Sequence, residues 1–159
     1  DVYDSPCGQQ NMLDVFSVGR VMERQGERAE AERCYRLAST PQPKTSLAAL
    51  RADECAGGAG YCLAMLHKRS GDLDTAEAAF RKLVSRRQMG EAPYVELAKM
   101  YEHKRCDARE ALRLSRLALE ITKDEKGRAA LEKRIERLTR KCERDKGKAA
   151  NRGAGGPGA

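Results

Sequence analysis

Ala64-Met65-Leu66-His67-Lys68-Arg69-Ser70-Gly71-Asp72-Leu73-Asp74-Thr75-Ala76-Glu77-Ala78-Ala79-Phe80-Arg81-Lys82-Leu83 reads as two amphipathic helical runs divided by one glycine. Leu63, Ala64 and His67 recur at helical spacing before Gly71, and Ala76, Phe80 and Leu83 recur after it. Gly71 punctuates the pattern after about a dozen helical residues. The same series stands earlier in the chain as Gly19, Met22, Gly26, Ala31, Tyr35 and Ala38, with gaps of three, four, five, four and three residues. It returns later as Ala98, Tyr101, Ala111 and Ala118, with one extra residue in a turn at Arg105–Asp107. The sequence is therefore a helix–turn–helix unit written three times. No stretch alternates with the period of two that a half-buried strand requires.

Register and residue size fit that reading. Ala64 to Ala98 is 34 residues, while Gly19 to Ala64 is 45, so about 11 residues are inserted between the first two copies. The insertion maps to Thr45–Cys55, within an interval of about 45–56. It is expected to add a turn or two of helix before a break at Gly57-Gly58-Ala59-Gly60. Small residues at Gly19, Ala64 and Ala98 let paired helices approach closely. Ala31, Ala76 and Ala111 do the same from the second helix, and Tyr35 and Phe80 fill the gap to the next unit. Leu131, Ile135, Leu138 and Cys142 then mark one apolar stripe on a helix from about 124 to 145, with charge on its other faces. Such a helix would close the exposed end of a stacked array. Residues 1–11 read as an N-terminal extension, 12–146 as the helical domain, and 147–159 as a Gly/Ala-rich disordered tail.

Composition narrows the function classes. Of 159 residues, 40% are hydrophobic but only 4% aromatic, and there is no Trp, so the core is thin and aliphatic. Two histidines leave little material for an acid–base or His-based metal site. The six cysteines (Cys7, Cys34, Cys55, Cys62, Cys106 and Cys142) form no C-x-x-C pair, which argues against zinc and for free thiols in a reducing cytoplasm. Apolar runs fall far short of the roughly 20 residues of a spanning helix, and no secretory signal opens the chain, so no membrane role is expected. A start at Asp1 rather than Met reads as a piece cut from a longer protein. No cofactor is implied: Gly57, Gly58 and Gly60 lack the Lys-Ser/Thr of a phosphate-binding loop, and no serine or cysteine has a paired base.

With these residues in place, the repeats resemble the tetratricopeptide repeat, whose period is 34. The resemblance implies an all-α superhelix of three units with a C-terminal capping helix, acting as a non-catalytic protein–protein interaction module. In that family the first helix of each unit lines a concave wall. Here the wall would carry Phe16, Arg20, Glu23 and Arg24, then Tyr61, Met65, Lys68 and Arg69, then Val95, Lys99, Glu102 and His103. Its cations suit a carboxylate-rich peptide or the free C-terminus of a partner; the alternative is an ordinary solvated face. His103 beside Glu102 on one helix is not expected to form a dyad, because adjacent residues point apart.

The segment from Pro93 to His103, with Ala111-Leu112-Arg113-Leu114 and the closing Leu131 to Leu138, is also similar to the C-terminal repeat region of bacterial RNase H-like exonuclease-domain proteins (the YprB-like family). That resemblance covers roughly residues 9–142. It implies an accessory role in nucleic-acid or partner binding beside an upstream nuclease domain, and it likens Asn11-Met12-Leu13-Asp14 to the family's last acidic motif. Gln10 stands where the family has His or Tyr, and the earlier acidic residues are missing. Two-metal hydrolysis needs several converging carboxylates, so Asp14 is read as a first-turn carboxylate at a helix N-terminus. Residues 123–152 hold 12 Lys/Arg against 6 Asp/Glu, which is +6 of the chain's +7. The excess could serve nucleic acid, but acidic residues interrupt it and no aromatic residue lies among them; a solvated capping face is the plainer reading.

Overall fold

The computed structural model describes residues 12–40 and 47–153, and among them every regular element is α-helical. The chain divides into two compact units, Asp1–Met89 and Gly90–Ala159. The first contains α1 (Met12–Gln25), α2 (Arg28–Ala38), α3 (Leu47–Ser70) and α4 (Leu73–Ser85). The second contains α5 (Ala92–His103), α6 (Ala108–Ile121) and α7 (Glu125–Gly153). Three hairpins result, α1–α2, α3–α4 and α5–α6. Within the first unit α3 also packs on α2 and α1, and within the second α7 packs on α6.

The glycines that divide the amphipathic runs act through the backbone. Gly26 and Gly71 both take φ +84°, a conformation that costs glycine no Cβ clash. At each, two bonds close the helix end: Gly26 N–H to Glu23 O and Glu27 N–H to Met22 O, then Gly71 N–H to Lys68 O and Asp72 N–H to His67 O. The α5–α6 turn has no glycine; Cys106 takes φ +55° instead. α4 and α6 start on capping aspartates, whereas α2 follows Glu27, which makes no side-chain cap bond. Asp72 accepts from the Thr75 N–H at 3.2 Å, and Asp107 accepts from the Arg109 and Glu110 N–H groups at 3.1 and 3.0 Å. These hydrogen bonds from Thr75 hold the Asp72 carboxyl below its ordinary value.

Packing follows the expected register. Ala31, Ala64, Ala76, Ala98 and Ala111 are fully buried, as are Tyr35 and Phe80. Gly19 is buried with them: a Cβ there would lie 2.9 Å from Tyr35 Cε1 and 3.0 Å from Cys34 Cβ. The close approach of α1 to α2 thus demands glycine. In the second unit Leu97, Met100, Leu114, Leu131 and Leu138 form the core, and Leu138 and Cys142 meet Ala108 and Ala111 where α7 crosses α6. Asp124 caps α7 by accepting from the Gly127 N–H at 2.7 Å.

Two boundaries differ from expectation. α3 does not break at Gly57-Gly58-Ala59-Gly60; it runs 24 residues without interruption. Each of its glycines meets a different neighbour instead. A Cβ would lie 3.3 Å from Gln88 at Gly57, 3.3 Å from Phe16 at Gly58 and 3.2 Å from Leu83 at Gly60. Glycine here serves close packing on several sides of one helix, and residues 47–56 of the expected insertion are simply its first turns. α7 likewise continues past 145 through Gly153, because Gly147 adopts no capping conformation and Lys148, Ala149 and Ala150 favour helix. The expected tail is therefore helical up to Gly153. Residues 154–159, the N-terminal extension 1–11 and positions 45 and 46 lie outside the described residues.

Candidate functional site

The side chains anticipated for a binding wall fall into two groups, one in each unit. In the first unit, Glu23 of α1 is the organising residue. Its carboxylate accepts from the Tyr35 hydroxyl at 2.7 Å and from Arg69 Nη1 at 2.6 Å, tying α1 to α2 and α3 at once. Tyr35 itself is fully buried, with its ring 5.9 Å from Phe16. Burial, then the bond to Glu23, pushes its phenol far above the ordinary range, so it stays a neutral donor. Cys62 of α3 belongs to the same cluster. Burial and the Glu23 carboxylate raise its thiol, against the opposing influence of the Tyr35 hydrogen bond, Arg20 and Arg69. A thiol whose pKa is raised is a poor nucleophile, and the hydrogen bonds of Glu23 brace three helices against one another.

The second unit repeats the device with different partners. Glu102 of α5, only 8% exposed, accepts from Arg134 Nη1 at 2.6 Å and from Arg137 Nε and Nη2 at 3.0 and 2.7 Å. Both arginines come from α7, so an acid on the first helix of a hairpin again takes cations from a later helix. His103 Nε2 lies 3.7 Å from Glu102 Oε2, beyond hydrogen-bond reach, and the carboxylate is already committed to the arginines. The two adjacent side chains form no dyad.

The other anticipated residues can be placed one by one. Phe16 is half-buried between the Tyr35 ring and Gly58, where it packs rather than projects. Tyr61 is half-buried edge-on to Phe80, with ring centroids 5.8 Å apart. Met65, Lys68 and Val95 are half-buried. Lys99 is held by Glu96 at 2.6 Å. Arg20 and Arg24 are exposed, Arg24 donating only to the Arg20 carbonyl at 3.3 Å, and neither pairs with a carboxylate among the described residues. Of the anticipated arginines in the first unit, Arg20 and Arg24 thus keep their charge unpaired among the described residues, while Arg69 is spent on Glu23.

Sequence reasoning missed Arg134 and Arg137 as partners, since a separation of 32 to 35 residues leaves no local signal. It also missed Cys62, whose neighbours come from three helices. Asp14 sits exposed in the first turn of α1; Gln10 and Asn11 lie outside the described residues. Among the described residues no group of His, Cys, Asp or Glu is arranged to hold a metal ion. No described helix is long and apolar enough to cross a membrane. The described cysteines, Cys34, Cys55, Cys62, Cys106 and Cys142, form no disulfide with one another. No family model and no curated protein matches this chain.

Proposed function

We propose that the chain is a non-catalytic protein-interaction module of tetratricopeptide type, whose partner is an acidic peptide or the free C-terminus of another protein. The observation that supports this most is the recurrence of one packing register. Gly19, Ala64 and Ala98, with Ala31, Ala76 and Ala111, are all buried at the same points of three successive hairpins. A chain that repeats one hairpin register commits its buried positions to scaffold. What remains to confer specificity is the exposed polar face. Arg20 and Arg24, one turn apart on α1, offer charge-assisted hydrogen bonds to a carboxylate without first having to break an ion pair. The raised Cys62 thiol and neutral Tyr35 offer no nucleophile or base at neutral pH, consistent with binding rather than turnover.

Selection from a random peptide library displayed with free C-termini tests the reading. Acidic sequences are expected to be enriched, and Arg20→Glu with Arg24→Glu is expected to weaken them by roughly tenfold or more. Sequences without acidic bias, or a selection that yields no binder weakened by the reversal, would remove the proposal.

A further inference from the structure

The helix α6 has two faces at work. One, formed by Ala108, Ala111, Leu114, Ser115 and Ala118, is buried in the second unit. The other presents Arg109, Leu112, Arg113, Arg116 and Leu117 at successive spacings of three, one, three and one residues, which form a single helical stripe. This stripe faces Cys142 and Lys146 of α7 across an open trough of about 440 Å³. Its floor is apolar, made by Leu112, Leu117 and Cys142. Its rim is cationic. Arg113 is engaged by Glu110 at 2.7 Å, but Arg109, Arg116 and Lys146 have no carboxylate partner among the described residues.

We propose that this trough docks an acidic amphipathic helix of another protein, with its apolar side chains on the floor and its carboxylates on the rim. Charge complementarity is the first argument, because three unpaired cations surround a surface that water solvates poorly. The second lies in α7 itself. Cys142 is the last buried residue among its described side chains; Glu143 to Ala150 are all exposed, although the helix continues to Gly153. A helical arm this short, with the poor helix former Gly147 in it and without tertiary cover, is marginal by itself in water. A partner helix lying in the trough extends toward Lys146 and covers that arm. The chemistry favours protein over the other polyanions. No aromatic side chain lines the trough to stack on a base. The arm beyond Cys142 carries Glu143 and Asp145 and no large apolar residue with which to enter a bilayer.

The test uses the full chain and a labelled synthetic helix of about 18 residues, five turns, with leucine on one stripe and glutamate flanking it. Fluorescence anisotropy should show binding that weakens about tenfold or more in Arg109→Glu/Arg116→Glu/Lys146→Glu. Circular dichroism of that variant should match the parent, since all three side chains project from the packed surface. Lys82→Glu, at an exposed cation of α4 outside both proposed surfaces, should leave this binding unchanged, which separates the trough from a general effect of lowered net charge. A scrambled peptide of equal composition should bind much more weakly, because only sorted faces fit floor and rim together. The inference fails if the amphipathic peptide does not bind or the scrambled peptide binds equally. It also fails if single-stranded RNA, or vesicles of phosphatidylserine and phosphatidylcholine, bind with the same sensitivity to the triple reversal.

Discussion

Tyr35, Phe80 and Ser115 occupy the same place in three successive hairpins, four residues after Ala31, Ala76 and Ala111, and all three are fully buried. In the first unit the place is filled by aromatic rings, Tyr35 against Phe16 and Phe80 against Tyr61. In the second it holds a serine whose hydroxyl turns back to the Ala111 carbonyl at 2.8 Å. The acids differ in the complementary sense. Glu23 is 21% exposed and shares its charge with one exposed arginine and a tyrosine, whereas Glu102 is 8% exposed and takes two arginines. One scaffold is thus stabilised in two ways: aromatic bulk where helices leave a gap, and small residues with a buried ion cluster where they do not. The two units should answer differently to loss of volume and loss of charge.

Loss of volume gives the largest expected effect. Phe80→Ala removes a fully buried ring and should destabilise the first unit by about 3–4 kcal/mol in urea unfolding followed by circular dichroism. Ser115→Ala, at the matching place, removes only a hydroxyl bonded within its own helix and should cost less than about 1 kcal/mol. Equal costs at the two positions would mean that the aromatic plug is not what distinguishes the units.

Loss of charge should rank the units the other way. Glu102→Gln leaves Arg134, only 18% exposed, without a counter-charge, and should cost about 2 kcal/mol, with faster amide exchange along α7. Glu23→Gln still accepts from Tyr35 and loses only an ion pair to an arginine 56% exposed, so a cost under about 1 kcal/mol is expected. Added salt should screen the Glu23–Arg69 pair more than the Glu102 cluster. A Glu23 variant as damaging as the Glu102 variant would erase the contrast.

How far this was legible in the sequence depended on the range of each interaction. Gly19, Ala64 and Ala98 with their alanine partners were readable because close helix approach imposes a small residue at a fixed local spacing. The turns at Gly26 and Gly71 were readable for the same reason. The run of Gly57, Gly58 and Gly60 was misread as a break. A glycine that admits Gln88, Phe16 or Leu83 looks identical, in one dimension, to one that ends a helix. The acids at Glu23 and Glu102 were visible on the expected faces, but not their partners. Any of the many arginines on α7 carries the same letter, and only helix packing selects Arg134 and Arg137. The trough between α6 and α7 was hidden similarly, since Arg109, Arg116 and Lys146 resemble ordinary solvated charges until two helices bring them to one rim.

The smallest contrast lies in the turns, and it isolates the backbone from the packing. Gly71 at φ +84° has open space around it, so a methyl group there would touch nothing. Gly71→Ala should therefore cost about 1 kcal/mol for conformational reasons alone. Cys106 sits at φ +55° in the matching α5–α6 turn, exposed, and already bears that strain. Cys106→Gly relieves the strain but frees the unfolded polypeptide, and these opposing terms should leave a gain of about 0.5 kcal/mol. The two substitutions should thus shift the urea midpoint in opposite directions. A destabilising Cys106→Gly would mean that the thiol holds the turn through contacts of its own, so that only the first unit relies on glycine punctuation for conformational reasons.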